Sequence, residues 1–108
     1  MRQAGTRIRV EDLDVRAIVT GRGVSRVGFV VPKYKQNAVA RNRLKRRLRE
    51  LARTRLLPAW RSADNPAPDV DIVVRALPSA YDITMAELST RIDCACTRLR
   101  QRVAPMNA

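Results

Sequence analysis

Ala40, Leu44, Leu48 and Leu51 recur at spacings of four, four and three, which places them on one side of an α-helix. The residues between them are nearly all cationic. At about 100° per residue, Asn42, Lys45, Arg46, Arg49 and Arg53 gather on the opposite side. Asn37 suits the N-cap, because its side chain can accept from backbone N–H groups two or three residues on. The pattern predicts a helix running from Asn37 to about Leu57 and stopped by Pro58. Residues 33–55 carry ten of the 22 Lys and Arg but only one of the ten acids, Glu50, so this window holds +9 of the chain's formal +12.

A solvated helix face usually mixes signs, since opposite pairs at i,i+4 contribute a few tenths of a kcal/mol and like pairs cost as much. Here Arg41–Lys45, Arg43–Arg47, Lys45–Arg49 and Arg49–Arg53 are like-charge pairs, and Arg46–Glu50 is the opposite one. The resulting repulsion is what a polyanion would relieve. Arginine's planar fork also suits bidentate contact with phosphate oxygens. A basic surface helix with no specific partner is the plain alternative, but a face this one-signed fits nucleic acid better. The sequence pI near 11.5 and the lack of histidine point the same way, and away from imidazole catalysis.

A chain of 108 residues makes one domain, residues 1–108, large enough to bury a core. Residues 1–10 contain no apolar signal-peptide core, and no apolar run approaches the roughly 20 residues of a membrane helix. Cys94 and Cys96 lie two apart in a helical pattern, so their side chains diverge by about 200°. That spacing suits neither a mutual disulfide nor half of a zinc site. Both read as small buried fillers, and a cytoplasmic location is expected.

Along the chain, residues 1–5 read as an unstructured lead-in and Thr6–Val10 as a short strand. Leu13, Val15, Ala17 and Val19 alternate with Asp14, Arg16 and Ile18, which predicts a second strand. A turn is expected at Gly21–Gly23, followed by a strand from Arg26 to Val31 that is apolar enough to be central and is ended by Pro32. Together these predict an antiparallel hairpin from about Leu13 to Val31. Residues 62–69 read as a surface loop and Val70–Ala76 as another strand, ended by Pro78 and Ser79. Thr84 and Glu87 have capping-box form, and Leu88, Ile92, Ala95, Leu99 and Val103 supply the stripe of a closing helix.

The order is β-β-β-α-β-α, an α/β two-layer sandwich in which two helices cover one face of a small sheet. The other face is left open, a groove suited to a single-stranded segment beside the basic helix. The strands flanking that helix make a parallel β-α-β unit, which the general rule makes right-handed.

The stretch Ala38-Val-Ala-Arg-Asn-Arg-Leu-Lys-Arg-Arg-Leu-Arg49 resembles the signature A-x-x-R-N-R-φ-K-R-x-φ-R of the protein-subunit family of bacterial ribonuclease P, at every fixed position. Arg26-Val-Gly-Phe-Val-Val-Pro-Lys33 is similar to that family's R-φ-G-φ-x-V-S-K strand, with Pro32 in place of serine. Asp71-Ile-Val-Val-Arg-Ala76 resembles its D-φ-V-φ-x-A strand. The resemblance spans about residues 5–103.

It implies a mixed sheet whose basic helix sits in a left-handed crossover, against the general rule. It also implies a role: binding the catalytic RNA and precursor tRNA, with the chemistry of 5′ leader removal carried by the RNA and its bound Mg²⁺. Carried over by position, Lys33, Arg41, Asn42, Arg43, Lys45, Arg46 and Arg49 are the expected RNA contacts, with no catalytic or metal-binding residue in the chain. No small-molecule substrate and no membrane is implied. The family usually begins with an aromatic-bearing helix before the glycine that Gly5 matches, and this chain starts after it. Lys35 and Gln36 stand where the family tends to have an apolar residue and glycine. A ribosomal-protein-like RNA-binding module with no part in cleavage is the alternative function. A peripheral protein on anionic membrane ranks last, because the apolar stripe lacks Trp and Phe.

Overall fold

The computed structural model describes residues 5–20, 25–61 and 69–103. Three strands open the chain: β1 (Thr6–Val10), β2 (Leu13–Val19) and β3 (Arg26–Val30). Helix α1 (Ala38–Leu51) continues through a π-helical turn (Ala52–Leu56) into a short α2 (Leu57–Trp60). Then come β4 (Val70–Ala76), a 3₁₀ turn (Pro78–Asp82) and α3 (Met85–Arg102). The expected glycine turn and nearly all of the expected 62–69 loop lie outside the described residues, as does most of the lead-in.

Period-two alternation builds the sheet. Ile8 and Val10 of β1, Leu13, Val15 and Ala17 of β2, and Val70, Ile72, Val74 and Ala76 of β4 all point into one core. The strand order is β1-β2-β4-β3. β1 and β4 each pair antiparallel with β2, and β3 pairs parallel with β4. The parallel unit around α1 is therefore as expected, but the Leu13–Val31 hairpin is not formed. β4 is inserted between β2 and β3, and β3 lies at the edge of the sheet instead of its centre. Burial explains the exchange: the four inward residues of β4 are at most 1% exposed, whereas Val27 and Phe29 of β3 are only partly buried. The strand with the fully apolar inner face takes the interior position.

Leu44, Leu48 and Leu51 of α1 and Leu88, Ile92, Ala95 and Leu99 of α3 cover that inner face. The capping box of α3 forms as expected: the Thr84 N–H donates to Glu87 Oε1 at 2.8 Å, and the Glu87 N–H to Thr84 Oγ1 at 3.1 Å. Cys96 is buried and Cys94 partly so, both as free thiols.

Pro58 does not stop the basic helix, contrary to what its missing N–H predicts. The π-helical turn ahead of it widens the backbone ladder, and Pro58 then falls in the opening turn of α2, where no intrahelical donor is required. The extension delivers Trp60 into the core at 1% exposure. The Arg100 guanidinium lies 5.7 Å from the Trp60 ring centroid.

The two-residue turn between β1 and β2 places Glu11 at φ 40, a conformation that needs support from its surroundings. Asp12 supplies it from a site only 6% exposed. Its carboxylate accepts from the Ser79 hydroxyl and from Arg91 Nε, the latter at 2.8 Å, while Arg91 also pairs with Glu11 at 3.0 Å. Burial pushes the Asp12 carboxyl up, but the Ser79 and Arg91 hydrogen bonds and the Arg91 charge outweigh it and hold the group below its ordinary value. Asp12→Asn should therefore cost roughly 2–3 kcal/mol near neutral pH. Because the folded carboxyl titrates below the unfolded one (about 3.9), that contribution is complete above the unfolded value. It is lost as pH falls through the folded one. Urea unfolding at pH 7 and pH 3 tests this: the gap between wild type and variant should narrow at the lower pH, and a gap independent of pH would contradict the assignment.

Candidate nucleic-acid interface

Helix α1 starts where the sequence places it, with Asn37 Oδ1 accepting the Ala40 N–H at 2.8 Å. Its leucines are drawn into the core, and this rotation fixes what the other side presents. Asn42, Arg43, Arg46 and Arg49 are exposed, and Lys45 and Arg47 are half-buried at the flanks. Val39, Asn42, Lys45, Arg46 and Arg49 line one continuous depression.

The opposite charges at Arg46 and Glu50 do not pair. Glu50 instead pairs with Arg53 at 2.7 Å, since i,i+3 neighbours also share a helix face. Among the described residues, Arg43, Lys45, Arg46, Arg47 and Arg49 form no ion pair. Only Arg53, at the end of the ridge, is offset by an acid of this helix.

Arg41 is turned a different way. It is half-buried, and its Nε donates to the Val31 carbonyl at 2.7 Å. Two tyrosines complete a set of three donors that hold the loop between β3 and α1. The Tyr81 hydroxyl donates to the Pro32 carbonyl at 2.6 Å, and the Tyr34 hydroxyl to the Ala76 carbonyl at 2.9 Å. Burial pushes the Tyr81 phenol up, against the lowering pull of Arg41, so it stays a protonated donor. Lys33 lies in this loop and is exposed, apart from the ridge residues that share the helix face.

The second cationic surface is the outer face of the sheet. Strand register sets Arg9, Asp14, Arg75 and Val30 in one row and Arg7, Arg16, Val73 and Gly28 in the next. Arg7 forks onto Asp14 at 3.0 and 2.6 Å, and Arg26 onto Asp71 at 3.2 Å. The Asp14 carboxyl is held low, first by the Arg7 hydrogen bond, against burial. Arg9, Arg16 and Arg75 form no ion pair among the described residues. Arg7, Asp14, Arg16, Ile18, Val73 and Arg75 line a depression on this face. The open face was expected from the alternation, but its arginines were not singled out. Their signal was present in the residues that alternate with the buried ones.

Residues 1–100 match the sequence family described as Ribonuclease P. The chain is 41% identical over 104 residues to the ribonuclease P protein component of Beutenbergia cavernae, an alignment covering 94% of this chain and 82% of that one. It is 47% identical over 77 residues to the corresponding protein of Streptomyces avermitilis, covering 69% of this chain and 55% of the relative's length. The fold is similar to that of the Staphylococcus aureus RNase P protein (TM-score 0.70, 22% identity, 92% and 83% of the two chains covered). It is also similar to the Thermotoga maritima RNase P protein (TM-score 0.67, 24% identity, 93% and 84% covered). With its four-stranded mixed sheet, its cationic helix and these relatives, the chain belongs to the ribonuclease P protein family.

Proposed function

We propose that this chain binds the catalytic RNA of ribonuclease P and its precursor tRNA, and assists removal of the 5′ leader. One observation carries the reading: among the described residues, α1 presents Arg43, Lys45, Arg46 and Arg49 with no acid paired to them. A cationic surface without internal counterions gains the most from displacing the ion atmosphere of RNA. Asn42 adds a neutral donor and acceptor on the same face, Lys33 contacts the RNA from the loop, and Arg41 holds that loop while bordering the ridge.

The open sheet face takes a single-stranded segment, the leader in this reading. Arg9, Arg16 and Arg75 attract its phosphates, and Ile18 and Val73 provide apolar surface between them. The Mg²⁺ of the reaction is assigned to the RNA. Among the described residues, no group of three or more His, Cys, Asp or Glu is arranged to hold a metal ion. None of the described helices is long and apolar enough to cross a membrane.

Reconstitution tests the proposal. The protein is added to a bacterial ribonuclease P RNA at limiting Mg²⁺, and cleavage of precursor tRNA is followed. Stimulation at substoichiometric substrate is expected. RNA binding without any stimulation would instead indicate a module that has no part in cleavage.

A further inference from the structure

The loop leading into α1 holds an aromatic ring in a setting that packing alone does not explain. Tyr34 occupies the first central position of the turn closed by the Gln36 N–H and the Lys33 carbonyl, 2.7 Å apart, with φ 53. Positive φ at that position is glycine's usual place, and bulky side chains rarely adopt it. The ring is not buried in return, for Tyr34 remains 42% exposed.

What the structure provides instead is immobility. The Tyr34 hydroxyl is tied to the Ala76 carbonyl at 2.9 Å. The ring stands perpendicular to that of Tyr81, with centroids 6.3 Å apart, and Tyr81 is itself anchored to Pro32. One perpendicular neighbour covers at most one face of a ring, which leaves aromatic surface in solvent. Lys33 and Lys35 flank it, both exposed, and the α1 ridge begins within the next turns of chain.

We propose that Tyr34 is a stacking platform for one unpaired base of the RNA bound along α1, an inference that rests on the RNA-binding reading above. A base stacks on a held ring at little cost in side-chain freedom, because the hydroxyl bond and Tyr81 have already removed it. The flanking lysines meet the phosphates on either side of that base. Phe29, Tyr34, Trp60 and Tyr81 are the only aromatics in the chain, and Trp60 is buried, so the contribution is confined to about a single base.

The test uses the full chain and a bacterial ribonuclease P RNA, with affinity measured by fluorescence anisotropy at several salt concentrations. Tyr34→Gly removes the ring in a residue the turn accepts, and Tyr34→Trp keeps an aromatic face. The glycine variant should bind roughly 5- to 20-fold more weakly with an unchanged log–log salt slope, and the tryptophan variant should recover most of the loss. In the unaltered protein, RNA substituted with 5-iodouridine should photo-crosslink at Tyr34. Equal affinity for the glycine variant, or a loss accompanied by a shallower slope and no crosslink at Tyr34, would overturn the platform. The Arg46→Ala and Arg49→Ala variants run in the same assay separate the two ideas. If they weaken binding while Tyr34→Gly does not, the platform alone fails; if none has any effect, the RNA-binding reading fails with it.

Discussion

Replacing Arg46 and Arg49 together by Glu is expected to weaken binding to a ribonuclease P RNA by on the order of 100-fold near 0.15 M salt. Both side chains are exposed on the ridge, and each change replaces a phosphate contact with a repulsion. Loss of two such contacts should also lower the log–log salt slope by about 1.4–1.8. The fold should not suffer. Neither residue belongs to the core, and removing the Lys45–Arg49 and Arg49–Arg53 repulsions offsets the like-charge pairing of a glutamate at position 46 with Glu50. Stability within about 0.5 kcal/mol of wild type is expected for surface changes of this kind. Thermal unfolding beside the anisotropy titration checks both halves, and a variant that binds with unchanged affinity would remove α1 from the interface.

The largest effect on stability is expected at Trp60. Its side chain is 1% exposed, where α2 packs against α3 beneath the Arg100 guanidinium. Trp60→Ala should cost about 4 kcal/mol, combining lost burial with the cavity left behind. For a domain of this size that corresponds to a fall in Tm of roughly 15–25 °C, a large share of the usual 5–15 kcal/mol of total stability. Trp60→Phe should recover more than half of it. A cost below about 1 kcal/mol for the alanine variant would mean that the helix does not dock past Pro58 in solution.

The faces of the elements could be read from the sequence, but their neighbours could not. Alternation in β4, the leucine spacing of α1 and the Thr84–Glu87 box are local patterns, and each is realised; the β2 alternation holds for Leu13, Val15 and Ala17 but fails at Val19, which is 52% exposed at the strand's end. Pairing is a non-local property. Nothing within residues 26–31 states that β4 will separate this strand from β2, and its apolar run served an edge as well as it would have served the centre. The passage through Pro58 did leave a trace: Leu48, Ala52, Leu56 and Trp60 continue the buried stripe in steps of four past the proline.

The same division runs through the site. One-signed charge on α1 is a matter of composition and period, so the ridge is legible in the sequence. The Glu50 partner is not fixed by spacing, because i,i+3 and i,i+4 cations compete for one carboxylate. The tyrosine anchors could not be seen, since they join residues more than forty positions apart through backbone carbonyls.

The claim that a fixed cationic ridge engages RNA is tested most directly by the salt dependence of wild-type binding. Affinity for the ribonuclease P RNA would be measured between about 0.1 and 0.5 M monovalent salt at constant Mg²⁺ and plotted as log K against log salt. With Arg43, Lys45, Arg46 and Arg49 each neutralising a phosphate, the line should fall with a slope of about −3 or steeper. A slope near zero would contradict the account.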